Sequence, residues 1–197
     1  MINDQKIKWL EFYVPYFDST ALADAFVREC LGNRRAMLIM HQAARLVRIA
    51  QGMAPIRPGR DAVELLLLLI VAENVSKLEA GAKSGTQSRQ HAQRFFKEFV
   101  SESDQAVFIE GFASVGERNP LSLKQIVDAL YDVRSDVVHE GRYWGFSFSL
   151  SGDFATTIET PIWCRLSLDT FRNIIVRGAI AAAKRALAAP VKQKNAS

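Results

Sequence analysis

Three residues of the segment 130–141 have the types and spacing to act on a phosphate group: Arg134, Ser135 and His139. An arginine keeps its charge, and its planar fork matches two oxygens of a phosphate or a carboxylate. A histidine can take up and return a proton, which is the role of a general acid or base. The serine precedes the histidine by four residues, so the two share one side of a helix. This combination indicates anion binding coupled to proton transfer.

Arg134 is unusual because the helix around it is patterned for burial. At ~100° per residue, it interrupts an apolar stripe at a position where a leucine is expected. The stripe consists of Leu123, Ile126, Val127, Leu130, Val137 and Val138. A guanidinium held against apolar surface needs an anionic partner. That partner is either Glu73, in the otherwise apolar helix predicted over 61–80, or a ligand phosphate, and an arginine oriented by a glutamate is also well placed for phosphate.

Arg134 and His139 do not point the same way on a straight helix. Five residues of helix correspond to a rise of ~7.5 Å and a rotation of ~140°. Either the last turn unwinds toward Gly141, or two copies of the helix meet and form a composite site, as a two-fold dimer would. The plainer alternative is that His139 only caps the helix C-terminus.

Three neighbours complete the candidate site. Tyr131, one turn before Ser135, is a candidate for stacking on a base, although a tyrosine beside an apolar stripe is more often a core-edge residue. Asp136 lies beside the serine and histidine and, together with Glu73, is expected to support the site side chains. Arg142 follows the helix end as a further candidate phosphate contact, with simple solvation as the alternative.

Composition indicates an ordinary globular chain. Its 197 residues are 49% hydrophobic and 23% charged, and the net charge of +4 permits a polyanionic partner without requiring one. The apolar run 65–72 is too short for a bilayer and the N-terminal residues lack a signal-peptide pattern, so we expect a cytoplasmic location and no membrane association. Cys30 and Cys164 are interpreted as packing thiols, and neither a metal nor a cofactor is expected.

The helical periodicities predict one all-α domain, 1–197, built as a bundle with an N-terminal helical extension. Residues 1–55 are predicted as an aromatic-rich arm followed by two helices, about 21–31 and 34–51, the second of them basic. The loop around Pro55 marks the most plausible internal boundary.

Residues 56–189 are predicted to form the bundle itself. Its central helix, 61–80, is apolar on every side in its middle, which indicates burial among several neighbours. Further helices are predicted at about 87–101, 103–115, 122–139 and 168–189. A small β-hairpin at about 143–160 is expected before the last helix, because residues alternate there around a turn. Residues 190–197 are predicted to be a disordered tail.

The residues from Tyr131 to Gly141 resemble the signature of the HEPN superfamily, most closely its Apea-like branch. That signature is an arginine, a polar residue directly after it and a histidine a few positions later; here Ser135 is the polar residue and four residues intervene before His139. The resemblance covers about 61–189 and implies a homodimeric helical bundle whose shared cleft cleaves RNA without a metal. It also implies a role in toxin, defence or RNA-processing systems, with an antitoxin or another protein as partner.

For individual residues, the resemblance implies that His139 takes the proton of a ribose 2′-OH or delivers one to the leaving 5′-oxygen. Arg134 would stabilise charge on the phosphoryl group, and Ser135 would bind the phosphate or hold the histidine. Products would carry 2′,3′-cyclic phosphate ends. Two other interpretations stay open: a catalytically inactive module that binds a nucleotide, RNA or a partner protein, and a structural dimer stabilised by Arg134 and Glu73.

Overall fold

Eight α-helices and two short strands make up the part of the chain that the structure, a computed structural model, describes: residues 2–53, 61–82, 87–114, 120–150, 152 and 162–189. The elements in chain order are α1 (Ile2–Tyr13), a 3-10 turn (Val14–Tyr16), α2 (Thr20–Gly32), α3 (Arg34–Met53), α4 (Asp61–Ala80), α5 (Ser88–Glu98), α6 (Glu102–Glu110), β1 (Phe112–Ser114), α7 (Leu123–Glu140), β2 (Ile162–Cys164) and α8 (Leu168–Ala188). The predicted all-α bundle with a small antiparallel strand pair is therefore confirmed.

Local sequence signals fix several helix starts. Ser19, Ser101, Ser122 and Ser167 each accept a hydrogen bond from a backbone N–H of the first turn that follows. Such caps satisfy donors that have no partner within the helix. The predicted boundaries of α2, α7 and α8 consequently lie close to the observed ones.

The central position predicted for the helix over 61–80 is confirmed. α4 packs against α3, α5, α7 and α8, and its apolar side chains are buried on more than one side. One continuous cluster of buried residues extends from Trp9 in α1 to Ala186 in α8. Two carboxylates of α4, Glu64 and Glu73, are also buried, with 4% and 7% of their surface exposed. Buried carboxylates need specific partners, so α4 is a core helix that also brings two charged groups to which other side chains must bond.

The N-terminal segment is more regular than predicted. Residues 2–13 form α1 rather than an arm without helical order. Trp9 and Tyr13 are buried, and the Tyr13 hydroxyl donates to the backbone carbonyl of Met40 at 2.8 Å. The aromatic residues contact two different helices, α2 and α3, so their spacing is irregular and did not indicate a helix.

The strand pair is present before the last helix, but its strands come from other residues than predicted. β1 pairs antiparallel with β2, with Phe112 opposite Cys164 and Ser114 opposite Ile162. Residues 143–150 contain no strand, although Phe146 and Phe148 there are buried. The predicted return strand over 154–160 lies outside the described residues. Alternation in 143–150 therefore reflects packing of alternate side chains without strand pairing.

Two further predictions, the boundary near Pro55 and the tail 190–197, also lie outside the described residues. Within the described part of the chain, none of the helices combines the length and the apolar character that a membrane span requires.

Candidate functional site

The helix that carries the motif is regular to its end. α7 begins at a capping box formed by Ser122 and Gln125, and Gly141 ends it in the left-handed conformation at φ 66°. The backbone N–H groups of Gly141 and Arg142 both donate to the carbonyl of Asp136. His139 is therefore still helical, and the alternative in which the last turn unwinds is wrong. Arg134 and His139 remain separated by ~7.5 Å along the axis and ~140° around it.

The apolar stripe of α7 differs from the prediction at its C-terminal end. Ile126, Val127, Leu130 and Val137 are buried as expected, but Val138 is 49% exposed. Val133 is buried in its place. The buried face of α7 therefore includes Val133 and Val137 but not Val138, because the core does not cover that side of the last turn.

Arg134 lies at the edge of the core rather than inside it. Its side chain is 21% exposed, and Nη2 is 3.9 Å from Oε2 of Glu73, too long for a hydrogen bond. The guanidinium carbon stands 5.0 Å from the centre of the Tyr131 ring. Nε is buried without a hydrogen-bond partner among the described residues. The predicted pairing with Glu73 is present, yet it leaves most of the guanidinium donors uncommitted.

Glu73 is held mainly by other groups. Lys77 donates to Oε1, the Ser88 hydroxyl donates to the same oxygen at 2.6 Å, and the Tyr131 hydroxyl donates to Oε2 at 3.3 Å. Burial raises the pKa of the Glu73 carboxyl, but the hydrogen bonds from Lys77 and Ser88 and the charges of Lys77 and Arg134 outweigh it, and the pKa is lowered. Glu73 is therefore an ionised carboxylate, and its oxygens receive their hydrogen bonds from groups other than Arg134.

Tyr131 belongs to this supporting network. It is 6% exposed, and its ring faces two guanidinium groups, those of Arg134 and Arg89, the latter at 5.2 Å. Arg89 is in turn paired with Asp132. Burial raises the pKa of the Tyr131 phenol, and the charge of Glu73 adds to this. Stacking of a base on Tyr131 does not fit, because the ring is covered; the core-edge interpretation does.

The second half of the motif faces solvent. His139 is exposed, and no hydrogen bond or ion pair to it is found within the described ranges. The Ser135 hydroxyl donates to the backbone carbonyl of Tyr131 at 3.1 Å, so it bonds its own helix rather than the histidine. Asp136 contributes its backbone carbonyl to the helix end, and Arg142 pairs with Glu140 at 2.7 Å. Within a single chain, Arg134 therefore lies beside Glu73 at the edge of the core, whereas the His139 imidazole faces solvent on another side of α7.

Sequence reasoning missed two parts of this region. Lys77 and Ser88 hold Glu73 across α4 and α5, and only the spacing of Glu73 and Lys77, four residues apart, was a visible signal. Tyr143 and Trp144, which follow directly after the helix end, are 43% and 54% exposed. The alternation of residues over 143–150 is typical of a strand. The structure instead leaves Tyr143 and Trp144 as exposed aromatic side chains that follow the motif in the chain.

Among the described residues, no group of three or more histidine, cysteine, aspartate or glutamate side chains is arranged to hold a metal ion. No protein-family model matches the chain, and neither curated proteins nor solved structures give a match. Any function must accordingly be inferred from the geometry of these side chains.

Proposed function

We propose that the protein is a metal-independent endoribonuclease of HEPN type that acts as a homodimer in the cytoplasm. The observation that carries the proposal is the state of Arg134, a partly exposed guanidinium fixed over Tyr131 whose donors are not consumed by Glu73. Such a group can bind two oxygens of a phosphodiester. The ionised Glu73 carboxylate attracts and orients the guanidinium, but at 3.9 Å it does not occupy the guanidinium's hydrogen-bond donors.

The dimer is proposed because one chain does not bring Arg134 and His139 together. A two-fold axis near the ends of two α7 helices would place the imidazole of each copy against the guanidinium of the other. Val138, next to His139 in the sequence, and Trp144, just past the helix end, are exposed apolar side chains, which are suited to contact between copies. Light scattering of the purified protein should give twice the chain mass, and Trp144→Ala should weaken this association.

The proposed reaction is transfer of the phosphodiester to the neighbouring ribose oxygen. His139 takes the proton of the 2′-OH, and the 2′-oxygen forms a bond to phosphorus while the bond to the 5′-oxygen breaks. Arg134 stabilises the added negative charge on the non-bridging oxygens. A protonated histidine, from the second copy in a symmetric cleft, gives its proton to the leaving 5′-oxygen. The products are a 2′,3′-cyclic phosphate and a 5′-hydroxyl.

An RNA cleavage assay in chelator tests this proposal. Arg134→Ala and His139→Ala should each lower the cleavage rate by ~10²-fold or more, since each removes a group acting in the transition state. Arg177→Ala is the matched control, because Arg177 pairs with Asp104 in another part of the bundle. Substrate with 2′-deoxyribose should not react. Undiminished cleavage by His139→Ala, or products with 3′-hydroxyl ends, would refute the mechanism.

A second candidate is a catalytically inactive module that binds a nucleotide, RNA or a partner protein. The separation of Arg134 from His139 within one chain favours it, as does the bond between the Ser135 hydroxyl and its own helix. It predicts RNA binding that depends on Arg134 but not on His139, with no cleavage at any protein concentration.

The role as a toxin or defence protein is part of the nuclease proposal. It predicts that expression arrests growth, that His139→Ala does not, and that an antitoxin suppresses the arrest.

A further inference from the structure

The net charge of the protein is concentrated on one helix. α3 carries Arg34, Arg35, Arg45 and Arg48 and has no acidic residue from Arg34 to Met53. The whole chain has a formal charge of +4, so cationic and acidic residues balance outside this helix. A balanced protein with one uncompensated helix has a local positive potential there, which attracts polyanions.

The C-terminal half of this helix lines a cleft. His41, Arg45 and Arg48 follow one another at spacings of four and three residues, so they share one side of α3. α1 faces them with Lys8 and Trp9, and the open cleft between the two helices has a volume of about 250 Å³. This is below the ~300–1,000 Å³ of sites for whole small molecules. The cleft thus suits a single anionic group such as a phosphate, with the rest of the ligand outside.

The two arginines of the cleft are held in place by neutral groups. Arg48 donates to the backbone carbonyl of Lys8 at 2.6 Å and lies over the ring of Phe12 at 5.4 Å. Arg45 donates to the side-chain carbonyl of Gln42 at 2.8 Å. Both guanidinium groups are thereby oriented while their charge is not compensated, and donors remain for an anion.

Most other arginines of the described residues are paired with carboxylates. Arg177 with Asp104 and Arg28 with Asp24 are examples, at 2.7 and 2.9 Å. Within the ranges that the structure describes, neither Arg45 nor Arg48 has a carboxylate within 4.0 Å, the limit for an ion pair. Arg34 and Arg35 of the same helix also have no carboxylate partner among the described residues, so the uncompensated arginines are concentrated on α3. Arg45 and Arg48 are members of this group that line a cleft, and that placement indicates a binding role.

We propose that the cleft formed by Lys8, His41, Arg45 and Arg48 binds a phosphate of the RNA backbone, at a site separate from Arg134. This inference rests on the proposed RNA substrate and adds an anchoring site on the N-terminal helices. The recognition is of the phosphodiester and not of a base, because the cleft is cationic and small. A contact of this kind binds the substrate and the transition state equally, so loss of the site raises KM and leaves kcat unchanged.

Binding of a labelled single-stranded 2′-O-methyl RNA tests the site without any cleavage. Anisotropy titrations from ~50 to ~300 mM salt compare the native chain with Arg45→Gln/Arg48→Gln and with the matched control Arg28→Gln/Arg177→Gln, which removes the same charge. The slope of log K against log salt falls by ~0.7 for each phosphate that the protein no longer neutralises. We expect a slope lowered by about 0.7, and affinity at ~50 mM salt lowered by about eightfold, in the cleft variant only, because the cleft neutralises one phosphate.

Arg48 also contacts α1, so Arg45→Gln alone is measured to separate binding from folding. It should give about half of the slope change with an unchanged melting temperature. Equal losses of affinity in the cleft and control variants, or no loss in either cleft variant, would overturn the proposal. So would a preference for phosphatidylserine vesicles over the oligonucleotide. If the native chain binds through the cleft but cleaves no RNA, the nuclease proposal is refuted while the anchoring site stands.

Discussion

Arg134→Ala should be a mild perturbation of folding and a severe one of activity. Oε2 of Glu73 is 3.9 Å from the guanidinium, and the side chain is 21% exposed, so the ion pair contributes ~0–1 kcal/mol. The contact with the Tyr131 ring adds ~0.5–1 kcal/mol. Together the substitution should cost about 0.5–2 kcal/mol. For a chain of this length that is a fall of roughly 1–8 °C in melting temperature.

Lys77→Ala is the informative comparison, since it removes the other cation from the same carboxylate. Lys77 is 17% exposed and donates directly to Glu73, a charged hydrogen bond worth ~1.5–3 kcal/mol. We therefore expect Lys77→Ala to be about twice as destabilising as Arg134→Ala in urea unfolding followed by far-UV circular dichroism. Only Arg134→Ala should abolish RNA cleavage.

The purely structural interpretation of Arg134 makes the opposite prediction. If Arg134 were the partner that compensates Glu73, its removal would leave a buried charge unpaired, at a cost of ~3–5 kcal/mol. A loss of stability for Arg134→Ala that equals or exceeds the loss for Lys77→Ala would refute the description of Glu73 as held by Lys77 and Ser88. It would also remove the reason for treating Arg134 as available to a ligand.

Three further predictions concern the rest of the bundle. Gly178→Ala should lower the free energy of unfolding, because the new Cβ would lie 2.6 Å from the ring of Phe95, and overpacking costs ~1–3 kcal/mol against a helix-propensity gain of about 1. Burial raises the pKa of Cys30 and Cys164 to about 12, so neither thiol should react with a thiol reagent at pH 8 until urea unfolds the chain. Burial also raises the pKa of Glu64, so stability should fall as pH rises from ~4.3 through the folded pKa, and Glu64→Gln should lack this fall in urea midpoints.

Each of these has a control in the same chain. Gly32→Ala in α2 meets nothing within 4 Å and should not destabilise, so an equal loss of stability there would show that backbone effects dominate. Rapid labelling of either cysteine in the native state would contradict its burial. The sign for Glu64 follows from proton uptake: between the two pKa values the folded state binds more protons than the unfolded state, so deprotonation destabilises the fold. The same pH course of the midpoint in the native chain and in Glu64→Gln would contradict the buried position.

The helices could be predicted from the sequence wherever their determinants are local. The apolar run of α4, the serine caps of α2 and α7 and the glycine at the end of α7 fix where these helices begin and end. α1 was missed because its aromatic residues pack against two neighbouring helices, so their spacing does not form one regular apolar stripe. The strand pair was assigned to other residues, since β1 and β2 are about fifty residues apart in the chain and nothing local couples them.

For the candidate site, the sequence by itself determined which groups are present and how they are spaced along α7. A permanent cation, a hydroxyl and an imidazole within one helix restrict the chemistry to anions and proton transfer. Only the tertiary structure decided how they are used. Lys77 lies one turn after Glu73 on the same helix, and the packing of α5 on α4 adds the Ser88 hydroxyl, so Glu73 is satisfied without Arg134. The regular end of α7 directs His139 away from Arg134. The physical reason is that spacing along a helix fixes directions, whereas the partners met in those directions come from segments distant in the chain.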